Sequence, residues 1–453
     1  MRILQVNHQF PPFSSQGSEV YCHALAQRLR KTDDVRVFHI SNTPRRRPRR
    51  LDRESSEGLP IYHCVDDREY SRLAEWPNRF LRAQFQAVLD EHRPQIVHFH
   101  NFLSLGDDLV SLARRSGAAV VYTLHDFGLI CPNTLLLRTD GRLCGKADPD
   151  FFQDCCPTLI RTLRGRTSAV TARLPALPRW RLYASQHPRA AFRFALSAAV
   201  RAAEWWWGAP ARTDIDRKRA FFFEHTRRIV RDVNLFLAPS EFLRQRFLAC
   251  GVPPEKIAYA RYGIRKFVRR TGQRSDGPIA FGYIGALHAH KGVELLVEAF
   301  QGLSDRASLH IYGSTFGSPV SESHWRRIYG AYGRDVVFHG PYDNRQIGAI
   351  LGSLDAVVVP SLWYENSPLT IQEAFVAGVP VVTADHGGMA ELVRDGIDGL
   401  YFRLGDVVHL HQTLRRLIDE PELLEKLRRH IPAVPDIDEQ AAGVRARYAA
   451  LLS

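Results

Sequence analysis

Two periods alternate along most of the chain. Short apolar, β-branched runs are each followed by a loop carrying glycine or proline, and then by apolar positions three and four apart. Residues 2–6 (RILQV) predict a first strand, and the loop from Asn7 to Ser18 carries Pro11, Pro12 and Gly17. A helix is expected from about Glu19, with Tyr21, Ala24, Leu25 and Leu29 on one face. Strands follow at 35–40, 95–99 (QIVHF, ending at His100), 118–123 (AAVVYT, delivering His125 and Asp126) and 233–240 (VNLFLAPS). The pattern restarts with a strand at 279–284, a helix at 293–300, and strands at 309–312 and 336–338. It ends near Arg429, where Pro432 and Pro435 precede a last amphipathic helix at 439–452. Alternation of this kind predicts doubly wound α/β architecture, and 453 residues suit two such domains better than one core. No internal sequence repeat is visible.

The densest chemistry lies between residues 355 and 391. Asp355 to Val359 reads as a strand and Val379 to Thr383 as the next one, with a helix between them. Ser367 suits its cap and Pro368 its first position, while Gly378 and Pro380 stop it after about Val376. Leu369 and its neighbours would offer free backbone N–H groups, a ready anion site for a pyrophosphate. Seven residues separate Glu365, in the loop, from Glu373, about one and a half turns into the helix. Both carboxylates can then face one cleft and accept hydrogen bonds from vicinal hydroxyls. A diphosphate cradle with an acid at each end suits a nucleotide sugar, ribose at one end and hexose at the other.

Pro360-Ser361, Glu365, Pro368, Glu373-Ala374, Gly378, Pro380-Val381-Val382, Gly387-Gly388, Glu391 and Gly396 together resemble the signature of the retaining nucleotide-sugar glycosyltransferases of family 4, with the GT-B fold. The resemblance covers most of residues 1–130 and 233–453. It implies two facing Rossmann-like domains with the donor in the cleft between them. The first domain would span 1–262, with an insertion at about 131–232. The nucleotide-sugar-binding domain would span 263–432, and a helix at 433–453 would cross back to the first.

Glu373 would bind ribose and Glu365 the transferred sugar. His125, in TLHDFGLICP, would approach that sugar, with Asp126 holding the loop or the imidazole. Asn366, Ser367, Pro368, Leu369 and Gly285 would line the donor. Gly17-Ser18-Glu19 resembles a shortened form of the family's Gly-Gly-x-x-Glu loop, and it reads equally as a plain packing turn. Lys291 stands where the family keeps a phosphate-neutralising lysine, but Ala286 occupies the position of its arginine partner. Arg261, Arg265 and His288 are the candidate substitutes. The hinge reads Tyr262-Gly263-Ile264-Arg265 where the family commonly has Asn-Gly-Ile/Val-Asp.

The implied reaction is transfer, with retention, from a UDP- or GDP-sugar to an acceptor hydroxyl, in cell-surface polysaccharide or glycolipid synthesis, with no cofactor. The expected partners are the donor and a sugar or lipid-linked acceptor. The alternatives are a non-catalytic GT-B scaffold or nucleotide-sugar-binding protein and, among enzymes, a sugar-nucleotide epimerase or an inverting transferase.

Charge adds a partner class. The net charge of +13, from 61 basic and 48 acidic residues, calls for an acidic neighbour. No zinc-finger, RRM or helix-turn-helix pattern supports nucleic acid. PRRRPRR at 44–50 reads as a solvated loop or as a patch for anionic lipid, and Ala190 to Trp207 as an interfacial helix or as part of an insertion shaping the acceptor site. The N-terminus has no apolar signal region, and no uncharged apolar run is long enough to span a membrane. Seven cysteines without a secretory signal fit a reducing compartment, so the expectation is a cytoplasmic protein, peripheral on the inner membrane face. Cys131, Cys144, Cys155 and Cys156 fall within 26 residues and read as ordinary thiols or as a structural zinc site of poor spacing.

Overall fold

The structure is a computed structural model. It describes residues 1–11, 17–42, 49–66, 78–101, 105–131, 134–137, 143–144, 212–267, 277–303, 305–314 and 335–453. Two separate sheets carry the chain. The first contains β1 (Arg2–Asn7), β2 (Asp34–Asn42), β3 (Arg50–Ser56), β4 (Leu59–Asp66), β5 (Ile96–Phe99), β6 (Ala119–Thr123), β7 (Leu235–Ala238) and β8 (Ile257–Tyr259). Its order is β3-β4-β2-β1-β5-β6-β7-β8, parallel throughout except for β3 against β4. Helices α1 (Gly17–Leu29), α2 (Arg79–His92), α3 (Asp107–Arg115), α4 (Arg212–Asp232) and α5 (Glu241–Ala249) belong to this half.

The second sheet is wholly parallel: β9 (Ile279–Ile284), β10 (Ala307–Tyr312), β11 (Val336–Gly340), β12 (Ala356–Val359), β13 (Val381–Ala384) and β14 (Gly399–Phe402), in the order β11-β10-β9-β12-β13-β14. Its helices are α6 (Val293–Ala299), α7 (Ile347–Gly352), α8 (Leu369–Ala377), α9 (Gly387–Leu392), α10 (Val407–Asp419) and α11 (Pro421–Arg429). Among the parallel strands the order reverses between β1 and β5 in the first sheet and between β9 and β12 in the second. Open α/β sheets bind ligands in the crevice beyond the strand ends at that reversal. The loops concerned follow β1, β5, β9 and β12.

The last helix, α12 (Ile437–Leu452), starts with a capping box of Asp436 and Glu439. It lies on the first sheet, where Ala441, Val444 and Tyr448 join Ile3, Tyr21, Leu25, Val37 and Val121 in one buried cluster. Polar contacts fix its register: Gln440 Nε2 donates to Tyr21 Oη at 2.7 Å, and Arg445 Nε to Asp33 at 2.7 Å.

Two local differences from the sequence pattern have physical causes. The β3–β4 hairpin was not expected after the basic run. Its two-residue turn, Glu57-Gly58, has φ of 50° and 76°, the left-handed pair that matches strand twist. Helix α8 also starts later than its Ser-Pro signal suggests. Pro368 itself is the cap residue and makes no side-chain cap bond. Ser367 Oγ instead accepts from Gln372 Nε2 at 3.2 Å, so the serine is turned to the helix side and not to its end.

Candidate functional site

Strand β12 ends at Val359, and the loop that Pro360 opens folds Glu365 into a buried nest of donors. Its Oε1 accepts from Lys291 Nζ at 2.7 Å, Ser361 Oγ at 2.7 Å and Trp363 Nε1 at 2.8 Å. The Lys291 ammonium also lies 5.0 Å from the Trp363 ring centroid. Burial alone would raise the Glu365 pKa. The lysine charge and the three hydrogen bonds outweigh it and hold the carboxyl below its ordinary value, so it is ionised at neutral pH. Gly292 makes the arrangement fit: at φ 71° a Cβ there would lie 1.9 Å from the Pro360 carbonyl oxygen. Only glycine lets the Lys291 loop reach the end of β12.

Glu373, in α8, is the opposite case. It is buried, and among the described residues nothing donates to its carboxylate. Burial pushes its pKa up to about 7, with the Arg265 charge opposing. One acid is therefore kept charged by three donors on one oxygen, and the other is held near its titration point by burial without a donor among the described residues.

The three candidate cations differ sharply. Arg265 is exposed and reaches Glu373 only through its field. His288 is half-buried and stacks on His290, with centroids 5.4 Å apart, and burial with Lys291 beside it lowers its pKa. Arg261 is built in: its Nε donates to Gln372 Oε1 at 2.8 Å, and Gln372 in turn donates to Ser367. Its Nη2 is buried and has no hydrogen-bond partner.

The first domain supplies the other wall. His125, just past β6, is half-buried. Its carbonyl accepts from Asn366 Nδ2 at 2.7 Å, a bond between the two halves of the chain. The Asn366 Oδ1 is buried without a partner. Both ring nitrogens of His125 are engaged, Nδ1 with Tyr262 Oη at 2.6 Å and Nε2 with His100 Nδ1 at 3.2 Å. Burial, with His8 nearby, drives its pKa down to about 3, so the ring is neutral. Asp126 Oδ1 accepts from Gly128 N–H at 2.7 Å and so holds the loop. Gly17 opens α1 opposite α8, where a Cβ would lie 3.9 Å from Leu369 Cδ1, and the Ser18 carbonyl accepts from Asn7 Nδ2. Gly285, at φ 157°, follows β9 beneath the Tyr283 hydroxyl.

The chain matches two family models, Glycosyltransferase Family 4 over residues 15–212 and Glycosyl transferases group 1 over residues 278–420. Between them they cover both halves and both walls of the cleft. This is a family 4-type glycosyltransferase chain.

Among relatives of this glycosyltransferase, the amylovoran biosynthesis glycosyltransferase AmsK of Erwinia amylovora is 27% identical over 215 residues, 45% of this chain and 53% of AmsK. The 2-deoxystreptamine glucosyltransferase of Streptomyces kanamyceticus is 27% identical over 171 residues, 38% of this chain and 44% of the relative. The chain thus spans about half the length of the curated relatives it matches. Anabaena HepE, solved in complex with UDP and glucose, superposes with a TM-score of 0.63 at 14% identity, over 99% of each chain. At that identity the likeness shows the fold: GT-B, with two Rossmann-like halves.

Several contacts of this glycosyltransferase cleft carry no signal in the sequence. Trp363 and Ser361 become partners of Glu365 only through the loop geometry, and Tyr262, His100 and Gln372 only through tertiary contact. Of the cysteine cluster, Cys131 and Cys144 pack against the first-domain core, and Cys155 and Cys156 lie outside the described residues. So do most of PRRRPRR and all of 190–207. The metal-like grouping among the described residues, Asp52, Glu54 and His63, is on the β3–β4 edge, where Asp52 already pairs with Arg50. No helix among the described residues is long and apolar enough to cross a membrane.

Proposed function

We propose that the chain moves a hexosyl group from a nucleotide diphosphate sugar to an acceptor hydroxyl with retention, with residues 263–432 binding the donor, 1–262 facing the acceptor and 433–453 tying the two together. The observation that carries this reading is the Glu365 nest. All three donors converge on Oε1, which leaves Oε2 to accept from a sugar hydroxyl. Glu373, eight positions on, is the acceptor for ribose hydroxyls.

The diphosphate would lie between them, on the N–H groups that open α8 around Ser367 to Leu369. Lys291 has further N–H bonds to offer a phosphate beyond the one given to Glu365. Arg261, with its unpartnered Nη2, is the best-placed substitute for the arginine that Ala286 replaces. These fixed charges would stabilise the leaving diphosphate, which takes the acceptor proton on the same face. The neutral His125 ring would approach the transferred sugar. The scheme needs no metal or cofactor. HepE, of the same fold, holds UDP and glucose, which makes UDP-sugars the first donors to try, with GDP-sugars next. AmsK acts in amylovoran biosynthesis, and this favours a sugar or lipid-linked acceptor in cell-surface polysaccharide synthesis, reached from the cytoplasmic face of the membrane.

Ala286 also favours a second reading, a scaffold that binds nucleotide sugar without turning it over. Thermal stabilisation by UDP, GDP, ADP and their sugar conjugates, followed by product formation from a labelled donor, separates the two. A ligand at about 100 times its Kd adds roughly 2.7 kcal/mol. Stabilisation by one series together with labelled product supports the transferase. Stabilisation without product supports the scaffold, and no stabilisation at all rejects both.

A further inference from the structure

Six hydrogen bonds run in one unbroken line from the cleft through the first sheet to α12. Tyr262 Oη meets His125 Nδ1 at 2.6 Å, His125 Nε2 meets His100 Nδ1 at 3.2 Å, and His100 Nε2 meets Gln5 Oε1 at 2.6 Å. Gln5 passes the line on, donating from Nε2 to Tyr448 Oη at 3.4 Å. The Tyr448 hydroxyl then meets His98 Nδ1, and His98 Nε2 meets Thr123 Oγ1 at 2.7 Å. Burial holds all three imidazoles far below their ordinary pKa, so the line contains no charge.

A neutral imidazole has one N–H and one lone pair, so each ring transmits a direction from one neighbour to the next. Gln5 sets that direction. Its oxygen can only accept, so His100 carries its proton on Nε2 and offers a bare Nδ1. His125 must then donate from Nε2, and its bare Nδ1 accepts the Tyr262 O–H. On the other side the Gln5 amide donates to the Tyr448 oxygen, which frees the tyrosine proton for His98 Nδ1.

Turning the amide over would reverse every bond at once and make both phenols accept from imidazole N–H groups. A phenol is the better donor of the two, so the observed direction is the favoured one. The line is also held in place mechanically. The Tyr21 ring lies against Tyr262, His125 and His100, with centroids 4.4, 5.4 and 5.7 Å away. Tyr262 is at the hinge, where the N–H of its neighbour Gly263 donates to Gln440 of α12 at 2.9 Å.

We propose that Tyr262 and His100, with Gln5 fixing the direction, hold His125 in one tautomer with its proton on Nε2, and that Tyr262 is the positioning residue by which the hinge sets the ring at the cleft. The identity of the group facing that ring rests on the transferase reading; the tautomer does not. The hinge substitution noted in the sequence thereby gains a purpose, because the departure from the family's Asn-Gly motif supplies the phenol on which the ring depends.

The test uses the full chain labelled with 15N-histidine, with His125 assigned by the signal lost in His125→Gln. Long-range proton–nitrogen correlations distinguish the two neutral tautomers. The wild type should show His125 in the Nε2–H form alone. Tyr262→Phe keeps the ring packing and should give a mixture of tautomers, with turnover down about tenfold and donor KM changed less than about twofold. Arg445→Met, which loosens α12 at Asp33 without touching the line, should leave the His125 pattern as it was, which controls for general loosening of the fold. A wild-type proton on Nδ1, or a Tyr262→Phe variant with an unchanged pattern and a normal Tm, overturns the proposal. The expected tautomer and its loss in Tyr262→Phe, in a protein that transfers no sugar from any donor, would reject the transferase reading and still support the ring assignment.

Discussion

The two walls of the cleft are built from opposite electrostatic materials. On the second-domain side, a buried carboxylate, an ammonium and an indole N–H converge within hydrogen-bond distance, so the wall stores charge. On the first-domain side, His125, His100 and Tyr262 are linked as neutral donors and acceptors, so the wall stores direction without charge. A charged wall costs desolvation and holds only while every partner is present. A neutral wall costs little to bury but must keep each proton in one place. The difference suits a ligand whose diphosphate sits against one side and whose uncharged sugar faces the other.

The largest effect should come from breaking the charged wall. Lys291→Ala strands the Glu365 carboxylate in a buried site, and removing one partner of such a pair costs about 3–5 kcal/mol. Urea unfolding should show that loss, and transferase activity should fall by roughly a hundredfold or more. The double variant Lys291→Ala with Glu365→Gln should regain much of the stability and none of the activity. A single variant as stable as the wild type would show that the wall is not charge-paired in solution.

The charged wall was also the legible one. Its glutamates and Gly378 sit at fixed spacings along the strand–loop–helix from β12 to α8, and Lys291 lies in a second short motif after β9, so each half of the wall is carried by a local stretch of sequence. Gly378 is readable because the end of α8 demands a left-handed residue. The neutral wall joins Gln5, His98, His100, His125, Tyr262 and Tyr448, up to 443 positions apart. No local pattern can announce such a set, because each member is an ordinary strand, loop or helix residue until the sheets and α12 assemble. His125 is legible only because it lies past a strand end, in a segment that resembles the family's. The β3–β4 hairpin was missed for a different reason: a basic run hid the alternation that begins at Arg50.

Glu373 offers the next test, through pH. Its carboxyl titrates at about 7 in the folded chain and near its ordinary 4.5 when unfolded. Between those values the folded state holds a proton that the unfolded state has released, so stability falls as pH rises from about 4.5 to 7 and stays low above that. The cost is on the order of 3 kcal/mol at most. Glu373→Gln should therefore raise Tm at pH 8, change little at pH 4, and weaken donor binding. An equal Tm change at both pH values would mean that the carboxyl is not held out of solvent.

Arg261 is the exception that sharpens the contrast, a half-buried cation from the hinge that reaches into the second-domain wall through Gln372. If its unpartnered nitrogen awaits the diphosphate, Arg261→Met should weaken nucleotide binding about tenfold, close to 1.4 kcal/mol, with Tm of the ligand-free protein nearly unchanged. Equal affinity for UDP in variant and wild type, by calorimetry, would remove Arg261 from the clamp and leave Arg265 and His288.

The smallest effect should come from a helix cap that the two halves share. Glu391, in α9, accepts from the backbone N–H of Glu241 at 2.8 Å and from that of Phe242, at the start of α5 in the other half. Ser240 caps the same helix from within, bonding Leu243 N–H at 3.1 Å, so α5 does not depend on Glu391 to exist. The glutamate therefore contributes to the joining of the halves and not to the folding of either. Around it, Phe242 packs on Tyr364 with centroids 5.0 Å apart, and Arg246 lies over both rings. Losing a cap interaction costs about 1 kcal/mol, which is roughly a fivefold change in a two-state equilibrium. Glu391→Ala should thus shift the closed population by about that factor, read as a change in fluorescence transfer between labels on the two halves, while urea unfolding of each half stays put. Apparent donor affinity should weaken in the same proportion, because a donor that bridges the walls binds only the closed form. A shift in the unfolding midpoint with no change in label distance would place Glu391 inside one half's stability and not between the two.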